Sequence, residues 1–173
     1  MALLSVPLLA TSSEEAQIKS DEGFSLEAYR DRGGWAVGWG HHQPYHSVIS
    51  LEEAERLFEE DYTKARGYAL RAAPEAPEEV VDILTNMAYN LGGAGLNNFN
   101  NMLEHVNRKC YEEAAFEMVR SDWYDQVGLR AVRLSFRMFK LGNVGSDCQP
   151  TLTWSGGEWR EEPRGTTRGQ DKG

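Results

Sequence analysis

The sequence is poor in cysteine, in positive charge and in long apolar runs. Its two cysteines, Cys110 and Cys148, exclude a disulfide-dense scaffold and any four-thiolate metal centre, and they leave the redox compartment open. No apolar run approaches the roughly 20 residues that span a bilayer. The longest covers residues 2–10 and contains Pro7, so stable membrane insertion is not expected. That stretch has no Lys or Arg before its apolar residues and no small-x-small cleavage site, so it does not read as a signal peptide. Lys and Arg number 18 against 27 Asp and Glu, a net charge of −9. Binding to a phosphate backbone draws its affinity from cations that release counterions, so nucleic acid is not expected as a partner. No P-loop, dinucleotide fingerprint, Gly-x-Ser-x-Gly or internal repeat occurs.

What is present is a globular composition, 40% hydrophobic, with helical periodicity along most of its length. Ser12 with Glu15 forms a capping box before a short helix that runs to Glu22 and stops at Gly23. Between residues 24 and 39 the helical period disappears. Glycines there interleave with Tyr29, Trp35, Val37 and Trp39, which predicts a small hairpin sheet. A second capping signal at Ser50-Leu51-Glu52-Glu53 opens an apolar stripe of Leu51, Ala54, Leu57, Phe58, Ala65 and Ala69, predicting a long helix to about residue 72. After Pro74 and Pro77, the spacing of Val80, Ile83, Leu84, Met87, Ala88 and Leu91 predicts a buried helix ended by Gly92-Gly93. Three shorter helices are expected near 96–107, 111–120 and 129–140. From residue 145 periodicity fails, and 145–173 is expected to be largely disordered.

The block that carries chemistry is Glu22-Gly23-Phe24, Tyr29-Arg30-Asp31 and Gly38-Trp39-Gly40-His41. Cleaving a glycosidic bond takes two carboxyl groups. One protonates the leaving oxygen, and the other stabilises an oxocarbenium-like state or activates water. A helix-end Glu among Tyr29, Trp35 and Trp39 is the expected desolvated acid, and an Asp on an exposed turn is the expected ionised partner. Among 27 acidic residues such a pair is commonplace by itself, and a solvated helix-end charge is the plain reading of Glu22 alone.

The wider pattern is more specific. Glu22-Gly23, eight residues between Glu22 and Asp31, and the ending Gly38-Trp39-Gly40-His41 resemble the active-site block of the phage-type lysozymes, glycoside hydrolase family 24. Ile49-Ser50 with residues 53–58 and Asp61 resembles the start of that family's connecting helix. Asn86-Met87, Gly92, Gly95, Phe99 and the run from Ser121 to Gln126 resemble its later helices, so the likeness covers roughly residues 14–141. The resemblance implies an α+β, mainly α, lysozyme-like fold: a small β-hairpin lobe (12–49), a connecting helix (50–76) and a helical lobe (77–144), with substrate in the cleft between lobes. It implies a muramidase of the endolysin type that cleaves the β-1,4 bond between N-acetylmuramic acid and N-acetylglucosamine in peptidoglycan and so lyses cell walls. Glu22 would be the general acid and Asp31 the second carboxylate. His41 and Asp61 would form a structural ion pair, and His42, Tyr89 and Asn90 would contact the sugar. No cofactor or metal is implied, a monomer is expected, and the expected route is synthesis in a host cytoplasm followed by action on the wall.

Two departures stand out. Ala36 occupies the place where the family pattern has Thr, and four residues rather than five separate it from Asp31. A hydroxyl there is implied to hold the attacking water, so the alternative is a weakened or inactive lysozyme-fold protein that binds wall or serves as a scaffold. The acidic charge also opposes encounter with an anionic wall, most strongly at low salt. His41, His42 and His46 are not expected to form a metal site, because Pro44 prevents a helix from aligning them. Arg130, Arg133 and Arg137 share a helical face and are expected to be solvated or ion-paired.

Overall fold

The computed structural model describes residues 12–31, 33–146, 148, 152–155 and 158–161, the last eight by their backbone alone. Among the described residues, seven helices, a three-stranded antiparallel sheet and a two-stranded one make the fold mainly α, of the lysozyme-like α+β class. The chain divides into two compact units, one of residues 1–71 with 81–96, the other of 72–80 with 97–173. Among the described residues, no helix is long and apolar enough to cross a membrane.

In the first unit, α1 (Ser13–Glu22) starts at the expected capping box, in which Ser12 and Glu15 each accept from the other's backbone N–H. The helix is too polar for burial alone to hold it. Ile18 joins Phe58 and Tyr62 in a core cluster, and the Asn86 amide donates to the buried Glu14 carboxylate at 2.7 Å. Lys19 pairs with Glu55 while its ammonium lies 4.4 Å from the ring centroids of Trp39 and Phe58, a desolvated cation–π setting that fixes the last turn of the helix.

The strands β1 (Ser25–Asp31), β2 (Gly34–Gly38) and β3 (His41–Gln43) follow in sequence order. Short connections let each pair antiparallel with the next. α2 (Leu51–Ala72) presents the predicted stripe of Ala54, Leu57, Phe58, Ala65 and Ala69, but Leu51 at its head is exposed. α3 (Glu78–Asn97) buries Val80, Ile83, Leu84, Met87 and Ala88 as expected. Its helical path breaks at Gly92, whose φ of 71° only glycine adopts without strain, so the predicted stop is a kink with one more short turn beyond it.

The second unit holds α4 (Asn100–Asn107), α5 (Tyr111–Val119), α6 (Asp122–Val127) and α7 (Leu129–Phe139). The six-residue α6 lies in a stretch the periodicity left blank, although Ser121 caps it by accepting from the Tyr124 N–H. Cys110, just ahead of α5, and Cys148, beyond α7, form a disulfide. On α7, Arg137 pairs with Glu79 at 2.7 Å, as the ion-paired expectation had it, while Arg130 is buried and Leu129, Val132 and Phe136 face solvent. Two other expectations need correction here. Residues 81–96, assigned from the sequence to the helical lobe, group with the sheet-bearing unit, because Asn86 holds α1 and Tyr89 packs against the Ile18 cluster. Within 145–173, β4 (Leu152–Ser155) and β5 (Glu158–Glu161) pair antiparallel, with Ser155 opposite Glu158. A two-residue Gly156-Gly157 link between strand-favouring residues is a hairpin signal that outweighs missing helical periodicity. The apolar stretch 2–10 lies outside the described residues.

Candidate active site

The sheet sorts its side chains by the two-residue alternation of extended backbone. Residues directly opposite in an antiparallel pair share a face, so Tyr29, Ala36 and His42, aligned across β1, β2 and β3, point the same way, and Asp31, two residues from Tyr29, points with them. The intervening positions carry Ala28 and Val37, which pack on Leu57 of α2, with Trp35 and Ile49 against that cluster. Trp35, expected beside Glu22, therefore lies on the opposite face, with Arg30 stacked 4.7 Å from its ring and His46 edge-on at 5.1 Å.

Asp31 ends β1. Its Oδ1 accepts from the Gly33 N–H at 2.8 Å, and its Oδ2 lies 3.7 Å from His42 Nε2. Glu22 is the last residue of α1 and is half-buried. The bend after β2 brings Gly40 against it: a Cβ on Gly40 would stand 3.5 Å from Glu22 Oε2, and the glycine's φ of 84° suits no other residue well. Trp39 beside it is held by Lys19 and by Tyr89, whose hydroxyl donates to the Trp39 carbonyl at 3.0 Å. Both ends of the site are thus fixed by one packed layer, α1 through Lys19 and the sheet turn through Tyr89.

Tyr29 reports on both carboxylates. Partial burial, then the negative charge of Asp31, then that of Glu22, push its phenol above the ordinary tyrosine value. We therefore expect Tyr29, followed by site-specific NMR of labelled tyrosine, to ionise later than an unstructured tyrosine, and Glu22→Gln to bring its midpoint down. An unchanged midpoint in that variant would separate Glu22 from this face.

The other sequence-derived candidates fall as follows. His41 Nδ1 and Asp61 Oδ2 approach to 2.7 Å, linking the sheet to α2, and Lys64 adds a contact to Asp61 at 3.0 Å. Tyr89 spends its hydroxyl on the Trp39 carbonyl, leaving only part of its ring exposed, and Asn90 is exposed one residue further along α3. His46 sits 3.4 Å from Glu27, away from the His41–Asp61 contact. Among the described residues, the cluster with metal-ligand spacing is Cys110, Glu113 and Cys148, whose sulfurs are already bonded to each other. The approach of His42 to Asp31 was not read from the sequence. The signal was there in the alternation of Tyr29 and Asp31, but using it required the register of β3.

The phage lysozyme family model matches residues 19–135, which include every candidate residue above. "Probable T4-type lysozyme 2" of Dictyostelium discoideum is 26% identical over 165 residues, covering 77% of this chain and 96% of that protein. The peptidoglycan hydrolase gp36 of Pseudomonas phage phiKMV is 27% identical over 125 residues, covering 68% of this chain and 14% of that longer protein.

Proposed function

This chain belongs to the phage lysozyme family, and from that premise we propose that it hydrolyses peptidoglycan at the β-1,4 bond between N-acetylmuramic acid and N-acetylglucosamine, thereby lysing bacterial walls. Glu22 donates a proton to the leaving oxygen. Asp31 is the second carboxylate, on the opposite side of the linkage, and either stabilises the developing positive charge or takes a proton from water. Exposed Asn90 and the part-exposed ring of Tyr89 contact the sugar, and His41 with Asp61 holds the sheet turn on α2. No organic cofactor or metal enters these steps. The protein acts as a monomer, made in a host cytoplasm and reaching the wall afterwards.

The family match over residues 19–135 carries this reading, together with Glu22 at the end of α1 against Gly40 and Asp31 at the end of β1. The name of the phiKMV relative, a peptidoglycan hydrolase, supports the substrate class. Ala36 by itself does not favour a purely wall-binding protein, since positioned electrostatics usually supplies more rate than one water contact.

Product analysis tests the bond assignment. Purified peptidoglycan digested with the protein and then reduced with borohydride should yield muramitol ends. Glucosaminitol ends would reassign the bond, and the absence of new reducing ends would remove the hydrolase reading.

A further inference from the structure

The face that carries Asp31 has an unusual centre. Ala36, in the middle strand and fully buried, offers a methyl group where its two cross-strand partners, Tyr29 and His42, carry the polar atoms. Asp31 Oδ1 is occupied by the Gly33 N–H, so the oxygen left for chemistry is Oδ2, and that oxygen faces His42 Nε2 at 3.7 Å. This separation is too long for a direct hydrogen bond and short enough for one water to reach both groups. The room for the imidazole is built in. A Cβ on Gly33 would meet His42 Cε1 at 2.5 Å, so a side chain there would displace the ring from Asp31.

We propose that His42 is the second acceptor for the nucleophilic water, so that the base of this enzyme is a two-residue unit, Asp31 with His42. The inference rests on the hydrolase reading above and deepens it. Tyr29, the other polar neighbour of Ala36, is a poor candidate for the task. Its phenol, raised above the ordinary tyrosine value, keeps its own proton and cannot take one from an attacking water. The neutral imidazole with its proton on Nδ1 presents Nε2 as an acceptor. In the step, the water oxygen bonds to the anomeric carbon as the bond to the leaving oxygen breaks. The water proton passes to the Asp31–His42 unit, and the Glu22 proton passes to the leaving oxygen. Exchange with solvent then restores both groups, so one water is consumed and no other reagent is needed. The plain alternative is a surface ion pair, which at this exposure contributes little to anything.

The test compares the full chain with His42→Ala, Asp31→Asn, the double variant and Glu22→Gln, measuring kcat and KM for release of reducing ends from purified peptidoglycan. His42→Ala should lower kcat about 100-fold, within the range of general-base effects, with KM changed less than about threefold. Its melting temperature should be unchanged, since the side chain is 58% exposed. The double variant should be no slower than Asp31→Asn alone, because residues that act as one unit do not add. An unchanged kcat in His42→Ala, a loss confined to KM, or losses that multiply in the double variant would each overturn the proposal. Glu22→Gln keeps the two levels apart. If it is inactive while His42→Ala is fully active, the role of His42 falls and the hydrolase reading stands. If the native chain releases no reducing ends, the hydrolase reading falls and takes the inference with it.

Discussion

Glu22→Gln is expected to lower kcat on peptidoglycan about 10³-fold, roughly 4 kcal/mol of transition-state stabilisation, while KM and melting temperature stay near native values. The substitution preserves volume and hydrogen-bonding reach, so Gly40, Trp39 and Lys19 keep their contacts around the end of α1. What it removes is the transferable proton. A glycosidic oxygen is a poor leaving group unless protonated as the bond breaks, and the amide cannot supply that proton at neutral pH. The loss should therefore appear in kcat and kcat/KM together, the mark of an interaction made only in the transition state. Reducing-end release from purified wall is the measurement, and a rate within tenfold of native would remove Glu22 from the mechanism.

The second large effect concerns stability. Reducing Cys110–Cys148 should lower unfolding free energy by about 2–4 kcal/mol, which for a chain of this length is a fall of about 5–15 °C in melting temperature. The bond closes a loop across a sequence separation of 38, and a loop of that size restricts the unfolded chain substantially in the chain-entropy account. Local structure also holds the ends together. Val144 and Gly145 donate their N–H groups to the Lys109 carbonyl at 3.1 and 3.2 Å, and Asn143 Oδ1 accepts from the Glu112 N–H at 3.0 Å. Gly145 fits because any Cβ would stand 2.0 Å from the Arg108 carbonyl oxygen. These ties survive reduction, so the unit should loosen without unfolding at room temperature. Thermal melts by circular dichroism with and without a phosphine reductant measure the difference. Equal melting temperatures would mean that the backbone clasp alone sets stability.

How much could be read in advance differs by element. The stripes of α2 and α3 and the capping box of α1 depend on residues three and four apart, and a sequence displays such spacing openly. The six residues of α6 span fewer than two turns, too few for a period to emerge, so only the family resemblance of residues 121–126 pointed to it. The arginines of α7 show what spacing leaves open. It placed Arg130 and Arg137 on one face, and Arg137 is ion-paired as expected, but periodicity cannot say how deeply each is buried, and Arg130 is buried while Phe136 faces water. The strands β4 and β5 carry no helical period, and their pairing depends on a cross-strand register that helical spacing does not display.

The sequence by itself determined the mainly helical character, the small sheet that starts after Gly23, the ends of α1 at Ser12 and Gly23, and the Glu22 and Asp31 spacing that points to sugar chemistry. These are local facts, fixed by caps, glycines and periods that a few neighbouring residues specify. Tertiary structure alone decided that His42 stands over Asp31, that Trp35 turns away from Glu22, that Arg130 is buried, and that the two cysteines are bonded. Each of those depends on strand register or on contacts between distant segments. A one-residue slip of a strand exchanges its faces, and no short-range spacing forbids it. Only the packing of the assembled unit selects which side of the sheet carries the chemistry.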